Sequence, residues 1–256
     1  MKQKQTAVVI SQAELAPSIF DMWIETSLAK EAKPGQFICV YPKNLSTLLP
    51  RPISICQVND AKDALRIVYR IAGQGTAEFS QYRQGDSIAI MGPLGNGFPV
   101  EKAKGKRVFL MGGGIGIPPI VQLSSQMDAD KQIVVGYRDN QLFLKEDLEA
   151  NGRVYIATED GSAGTKGNVM DAIAQNALTA DMIFACGPMP MLRAIKGFAM
   201  EHEIPAYISL EEHMACGVGA CLGCVVKTKE IDHHSHVHNA RICTDGPVFE
   251  AKEVEI

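Results

Sequence analysis

Four cysteines constrain this chain more than any other feature. Cys216, Cys221 and Cys224 fall as C-x4-C-x2-C inside Cys216-Gly-Val-Gly-Ala-Cys-Leu-Gly-Cys224, and Cys243 follows after 18 intervening residues. This is the plant-type [2Fe–2S] spacing, in which three thiolates come from one tight loop and the last from a distant segment. A loop wrapped around a cluster must turn its backbone N–H groups inward toward the sulfurs. Gly217, Gly219 and Gly223 supply the positive φ values and close approach that this requires. Hydrogen bonds of that kind help set a cluster's reduction potential. The competing reading is a zinc-stabilised binding module, because Cys221-x-x-Cys224 alone fits a zinc knuckle. Zinc ribbons pair two short cysteine units, and Cys243 has no such companion. The spacing therefore favours a cluster, and with it single-electron chemistry.

At 256 residues and 46% hydrophobic, the chain can bury the cores of two or three domains. A net charge of −4 and a pI near 5.9 argue against nucleic acid and against an anionic membrane surface as partners. Seven cysteines without a signal peptide point to a reducing cytoplasm, where a thiolate ligand set survives. Cys39 and Cys56 sit in strand-like runs and are expected to be buried thiols with no chemistry. The one long apolar run, Val108 to Leu123, is broken by Gly112, Gly113, Gly114, Gly116, Pro118 and Pro119. It reads as a strand entering a glycine loop rather than a membrane span.

The grammar of the chain changes twice. To about residue 100 it consists of short β-runs broken by turns: Ala7–Ile10, Phe20–Thr26, Phe37–Tyr41, Ile53–Val58, Leu65–Ile71 and Ser87–Met91. Six strands with little helix between them predict a small antiparallel barrel over 1–100. Beyond the charged linker Glu101–Lys106, strands at Arg107–Met111, Ile133–Tyr137, Val154–Thr158, Met182–Ala185 and Ala206–Leu210 alternate with helical stretches. Those stretches are Pro119–Met127, Leu142–Ala150, Val169–Asn176 and Met189–His202. Alternation of this kind predicts a parallel α/β domain over 101–210. The remainder, 211–256, reads as a small cysteine domain with strands at Val225–Lys229 and near Arg241, dependent on its metal for stability.

Four further motifs carry chemistry. In the barrel, Arg51-Pro-Ile-Ser54 places a guanidinium able to clamp a phosphate three residues before a hydroxyl-bearing strand position. Gly75-Thr76, within Gly73-Gln-Gly-Thr76, precedes a short helix expected at Ala77–Tyr82 whose N–H groups would face a pyrophosphate. In the second domain, Gly112-Gly-Gly-Ile-Gly-Ile-Pro-Pro119 turns from strand to helix as dinucleotide sites do, although it departs from the G-x-G-x-x-G fingerprint. Cys186-Gly187 ends a later strand at the edge where ligands of open α/β sheets bind. Cys186 is there either a cofactor-facing thiol or a small packing residue.

Taken in order, Arg51–Ser54, Gly73–Thr76, Gly112–Pro119 and Cys186–Met191 resemble the ferredoxin–NADP+ reductase superfamily. With Glu211–Cys224 and Cys243-Thr-Asp-Gly-Pro-Val-Phe249 appended, the whole chain is similar to the electron-transfer subunits of class 1B dihydroorotate dehydrogenase. The resemblance implies FAD across the barrel, with Arg51 on its phosphates, Ser54 against the isoalloxazine, Gly75 and Thr76 at the pyrophosphate, and Pro52 and Ile53 among the residues that bind the cofactor. It implies that Val68, Tyr69 and Arg70 line the flavin edge. NAD(H) is expected at Gly112, Gly113, Gly114 and Gly116, with Cys186 and Gly187 near the nicotinamide. Many superfamily members carry an aromatic where this chain has Ile53, so Tyr69 is a candidate for stacking on the flavin, or else a core residue. Asp139, after the strand ending at Tyr137, is placed to favour NAD(H) over NADP(H), with Arg138 pulling the other way.

The activity so implied is an electron relay in pyrimidine biosynthesis, running from the FMN of a catalytic partner through the [2Fe–2S] cluster to FAD and then to NAD+. The expected assembly is two copies of each chain. No catalytic acid or base is assigned here, since substrate C–H cleavage falls to the partner. Similar subunits serve ferredoxin or sulfide oxidoreductases and hydrogenases, which is the alternative within the same chemistry. His233–His238 reads as a solvated hairpin tip, or as alternate histidines binding stray metal.

Overall fold

The computed structural model describes residues 3–44, 46–231 and 236–256. The first six strands are β1 (Lys4–Ala16), β2 (Ile19–Glu25), β3 (Phe37–Tyr41), β4 (Arg51–Val58), β5 (Ala64–Arg70) and β6 (Ser87–Leu94). They close in the order β1-β2-β5-β4-β3-β6, antiparallel throughout. Every β-run expected in this half is a strand of the barrel. Its interior is filled by alternate inward residues, among them Val9, Met22, Ile24, Ile38, Ile55, Leu65, Ile67 and Ile90, all fully buried.

One helix starts earlier than expected. Helix α1 spans Gln74–Phe79, so Gly75 and Thr76 lie inside its first turn rather than ahead of it. The cause is local: Thr76 Oγ1 accepts from the N–H groups of Ala72 and Gly73, which closes the helix on itself at Gly73.

The second half is a seven-stranded sheet in the order β10-β9-β8-β7-β11-β12-β15. Its members are β7 (Arg107–Gly113), β8 (Asp130–Tyr137), β9 (Arg153–Thr158), β10 (Thr165–Lys166), β11 (Met182–Cys186), β12 (Ala206–Ser209) and β15 (Val248–Glu250). The first six run parallel, as the alternating pattern predicts. Helices α2 (Pro118–Gln126), α3 (Lys145–Glu149), α4 (Val169–Gln175) and α5 (Met189–Glu201) cover it. Helix α3 is shorter than the expected Leu142–Ala150, because Leu144 takes a left-handed φ of 63° immediately before it. Sequence periodicity missed the two-residue strand β10 and also strand β15. Strand β15 comes from the cysteine segment and pairs antiparallel with β12, so the last segment closes one edge of the central sheet. The rest of that segment holds the hairpin β13 (Val225–Lys227) and β14 (Asn239–Arg241). His233 and His234, at its expected tip, lie outside the described residues, while His236 and His238 are exposed.

Two contacts fix the halves relative to each other. Arg66 on β5 is 8% exposed, and its guanidinium bonds Asp21 on β2 at 2.9 Å and Asp147 on α3. Asn96, just after the barrel, donates to the carbonyls of Asp245 and Val248 and accepts from the Val248 N–H. The barrel is thus pinned to the α/β layer by an ion pair between buried Arg66 and half-buried Asp147, and to the cysteine segment by an amide clamp. Among the described residues no helix is long and apolar enough to cross a membrane.

Candidate functional site

A cavity of about 520 Å³ opens where the barrel, the glycine loop and the cysteine segment meet. Its wall contains Arg51, Pro52, Ile53, Ser54, Val68, Tyr69, Arg70 and Thr76, all but one of the barrel residues singled out from sequence. The remaining one, Gly75, lies against Arg51: a Cβ at Gly75 would stand 2.9 Å from Arg51 Nε, so the missing side chain gives the guanidinium its place. Arg51 Nη1 donates to the Leu49 carbonyl at 2.7 Å, which holds the group over the first turn of α1. The Thr76 hydroxyl is occupied in capping that turn and donates to the Gly73 carbonyl. Any contact from this turn to an anion is left to its backbone.

Tyr69 touches the cavity, yet its ring is committed to the barrel core. It stacks on Phe20 at 6.0 Å, meets Phe79 edge-on at 6.2 Å, and its hydroxyl donates to Gln12 Oε1 at 2.8 Å. Of the two roles open to Tyr69 on sequence, the geometry matches the core one.

Sequence reasoning missed the opposite wall, built from Ser209 to Met214 together with Phe37, Ile115 and Pro247. Ser209 to Met214 form the stretch leading from β12 into Cys216. Their only prior signal was adjacency to that cysteine. Glu211 is exposed to the cavity but crowded by protein. Burial pushes its carboxyl above the ordinary value and Arg70 opposes the shift. Arg70 also lies nearest to Gly114, 3.6 Å from a Cβ there, so it bridges the cavity to the glycine loop.

The glycine loop is tightly seated. A Cβ on Gly116 would lie 2.5 Å from the Cys186 carbonyl carbon and 2.6 Å from Gly187 Cα. Gly113 and Gly187 both abut Met191. The C-terminal ends of β7 and β11 therefore touch backbone to backbone. Gly112, Gly113 and Gly116 are buried, and Gly114, at φ 53°, is the partly open member. Cys186 is fully buried; burial pushes its thiol up, and the hydrogen bond it shares with Ser209 only partly offsets this. Asp139, at the end of β8, accepts from the Gln141 N–H at 2.9 Å.

The four cysteines form no disulfide. Their loop turns its N–H groups inward as expected: Val218 and Ala220 donate to Cys216 Sγ at 3.4 and 3.3 Å, and Gly219 donates to Cys243 Sγ at 3.2 Å. Gly217 and Gly219 take φ values of 68° and 80°. Gly223 does not; Leu222, at 56°, makes the third left-handed turn. Among the described residues no three metal-binding side chains gather as a single-ion site would need. The C-x4-C-x2-C…C spacing and the N–H groups turned toward Cys216 and Cys243 suit a two-iron cluster better than a zinc ribbon. Burial opposes ionisation of Cys216, but its backbone donors bring it down to about 7; burial and the adjacent Cys224 push Cys243 up to about 12. Cys39, from the barrel, is pushed up to about 12 by burial and by the sulfurs of Cys243, Cys216 and Cys224.

A closed barrel, an α/β sheet with a glycine loop at its carboxyl edge, and a four-cysteine segment closing a shared cavity define a ferredoxin-reductase-like oxidoreductase subunit with an iron–sulfur domain attached. Solved structures share the fold. One is an NADH-dependent reduced ferredoxin-NADP oxidoreductase, at TM-score 0.86 and 29% identity over 97% of this chain and 89% of that one. Another is a ferredoxin NADP+ reductase from Neisseria gonorrhoeae with bound FAD and NADP, at TM-score 0.67 and 18% identity over 77% and 91%. Residues 211–255 match the family described as the iron-sulfur cluster binding domain of dihydroorotate dehydrogenase B. The electron transfer subunits of dihydroorotate dehydrogenase B (NAD(+)) from Bacillus cereus strain G9842 and Bacillus anthracis strain CDC 684 / NRRL 3495 are each 41% identical over 99% of both chains. The chain belongs to that family of electron transfer subunits.

Proposed function

We propose that this chain holds FAD in the 520 Å³ cavity and a [2Fe–2S] cluster on Cys216, Cys221, Cys224 and Cys243, and relays electrons from the FMN of a catalytic partner to NAD+. The observation that carries this reading is a shared wall. Met214, two residues before Cys216, and Pro247, four after Cys243, line the same cavity as Arg51, Ser54 and Thr76. A flavin held there would share that wall with the segment that would hold the cluster.

Within this reading the division into 1–100, 101–210 and 211–256 follows three tasks. Arg51 and the backbone at Gly75 and Thr76 bind phosphate, while Pro52, Ile53, Ser54, Val68 and Tyr69 shape the apolar wall. Arg70 stands between that wall and the nucleotide loop. Gly112, Gly113, Gly114 and Gly116 receive NAD(H), with Cys186 and Gly187 packed behind them, and Asp139 favours an unphosphorylated ribose. When bound, FAD exchanges single electrons with an iron–sulfur centre and a hydride with a nicotinamide, which is why one subunit carries both. No general base is needed in this chain. The FMN subunit meets it at the exposed cysteine loop, where Val218 and Leu222 are 44% and 50% exposed. The complex contains two copies of each chain.

Cofactor analysis of the anaerobically purified protein tests the reading. One FAD, two irons and two sulfides per chain are expected, with flavin and iron–sulfur bands in the visible spectrum. A colourless protein containing one zinc would overturn it.

A further inference from the structure

Three separate stretches have one end on the cavity and the other at the cysteine loop: Phe37 to Cys39, Met214 to Cys216, and Cys243 to Pro247. The last two belong to the cysteine segment itself. The first belongs to the barrel, and it places a fifth cysteine where no ligand is needed. Cys39 is fully buried on β3, across the ladder from Pro52 on one side and Met91 on the other. Its Sγ would be 2.9 Å from a Cβ on Gly217, and Leu94 Cδ1 and Met91 Cε would each be 3.3 Å from that atom. Gly217 is the residue directly after Cys216. The loop backbone therefore rests on a seat of Cys39, Met91 and Leu94, in the same buried cluster as Cys224 and Cys243. Tyr41 donates to Met91 Sδ at 3.8 Å and steadies that seat from outside.

The seat faces a group whose charge becomes more negative on reduction. A dipole with its positive end toward the sulfurs stabilises the reduced form and raises the potential, whereas aliphatic walls do not. Met91 and Leu94 have no polar hydrogen to offer; the Cys39 thiol has one, on a weak donor. We propose that Cys39 is a positioning residue for the one-electron step. It seats the loop at Gly217, and its S–H dipole holds the cluster at a higher potential than an aliphatic seat would give. The proposal rests on the four-cysteine cluster described above and extends it with a residue supplied by the barrel.

The test uses the full chain with its cofactors, in wild-type, Cys39→Ser and Cys39→Val forms. Iron and sulfide content and potentiometry followed by electron paramagnetic resonance are measured on each. The wild type must first show a reduced [2Fe–2S] signal; its absence would refute the cluster reading itself, independently of Cys39. Given that signal, the serine variant should keep its iron and shift the midpoint upward, because a hydroxyl is the stronger donor. The valine variant should shift it downward. Unchanged midpoints, shifts of the same sign, or loss of iron from both variants would overturn the proposal, the last by showing that Cys39 assembles the site rather than tuning it.

Discussion

Replacing Gly116 by alanine isolates the role of the backbone contact between the glycine loop and the end of β11. The glycine there is not in the left-handed region, so alanine carries no conformational penalty and would, on chain entropy alone, stabilise the fold by roughly 0.4–1 kcal/mol. Sterics decide the sign. The new Cβ would stand 2.5 Å from the Cys186 carbonyl carbon and 2.6 Å from Gly187 Cα, with the carbonyl oxygen closer still. Ordinary contact begins near 3.4 Å, so the two strand ends must separate by about 1 Å. Overpacking of this kind costs about 1–3 kcal/mol. If the loop opens to relieve it, bound NADH must close the gap again, and KM for NADH should rise about 5- to 150-fold. If the loop stays closed, the same energy appears as lost stability. Steady-state reduction of the bound flavin by NADH, together with thermal unfolding, separates the two routes. Iron content should not change, since Gly116 packs on Cys186 and Gly187 at the end of β11. An alanine variant with wild-type KM and wild-type unfolding temperature would refute the reasoning.

Other outcomes follow from the same geometry. Cys221→Ser should reduce or abolish the iron and sulfide content while FAD remains bound; wild-type iron content would show the ligand set to be wrong. Arg66→Ala leaves the half-buried Asp21 and Asp147 without their shared partner and should cost about 1.5–3 kcal/mol in denaturant unfolding. A loss below about 1 kcal/mol, the range of exposed ion pairs, would show that Arg66 and its two carboxylates contribute no more than a surface pair does. Glutamate at both Val218 and Leu222 should weaken binding of the FMN subunit while NADH still reduces the flavin of the isolated chain. Undiminished complex formation in size-exclusion chromatography would move the interface elsewhere.

What could be read in advance was what has a local signature. The six barrel strands, the alternating β and α units and the cysteine spacing each depend on neighbours in sequence, and the structure reproduces them. The cavity was half legible for the same reason: Arg51, Ser54, Arg70 and Thr76 sit in short motifs, whereas Phe37, Leu210, Met214 and Pro247 are ordinary apolar residues brought there by the meeting of three segments. Strand β15 was hidden because Val248–Glu250 offers only three residues, and its pairing with β12 is a long-range event. Helix α1 was placed late because Gly75 reads as a breaker, while the Thr76 cap and the Arg51 guanidinium stabilise it in a helical turn. Cys39 looked inert because its run of apolar neighbours speaks of burial and says nothing of what lies on the other side of the strand.

The central claim is that this chain relays electrons and leaves substrate chemistry to a partner. The direct measurement is anaerobic turnover of dihydroorotate with NAD+, followed as NADH formation, using the cofactor-loaded chain alone and then with an FMN-containing catalytic subunit added. The account predicts no NADH from the chain alone, sustained NADH formation from the pair, and loss of that coupling in the Cys221→Ser variant. NADH formed from dihydroorotate by this chain without a partner would contradict it.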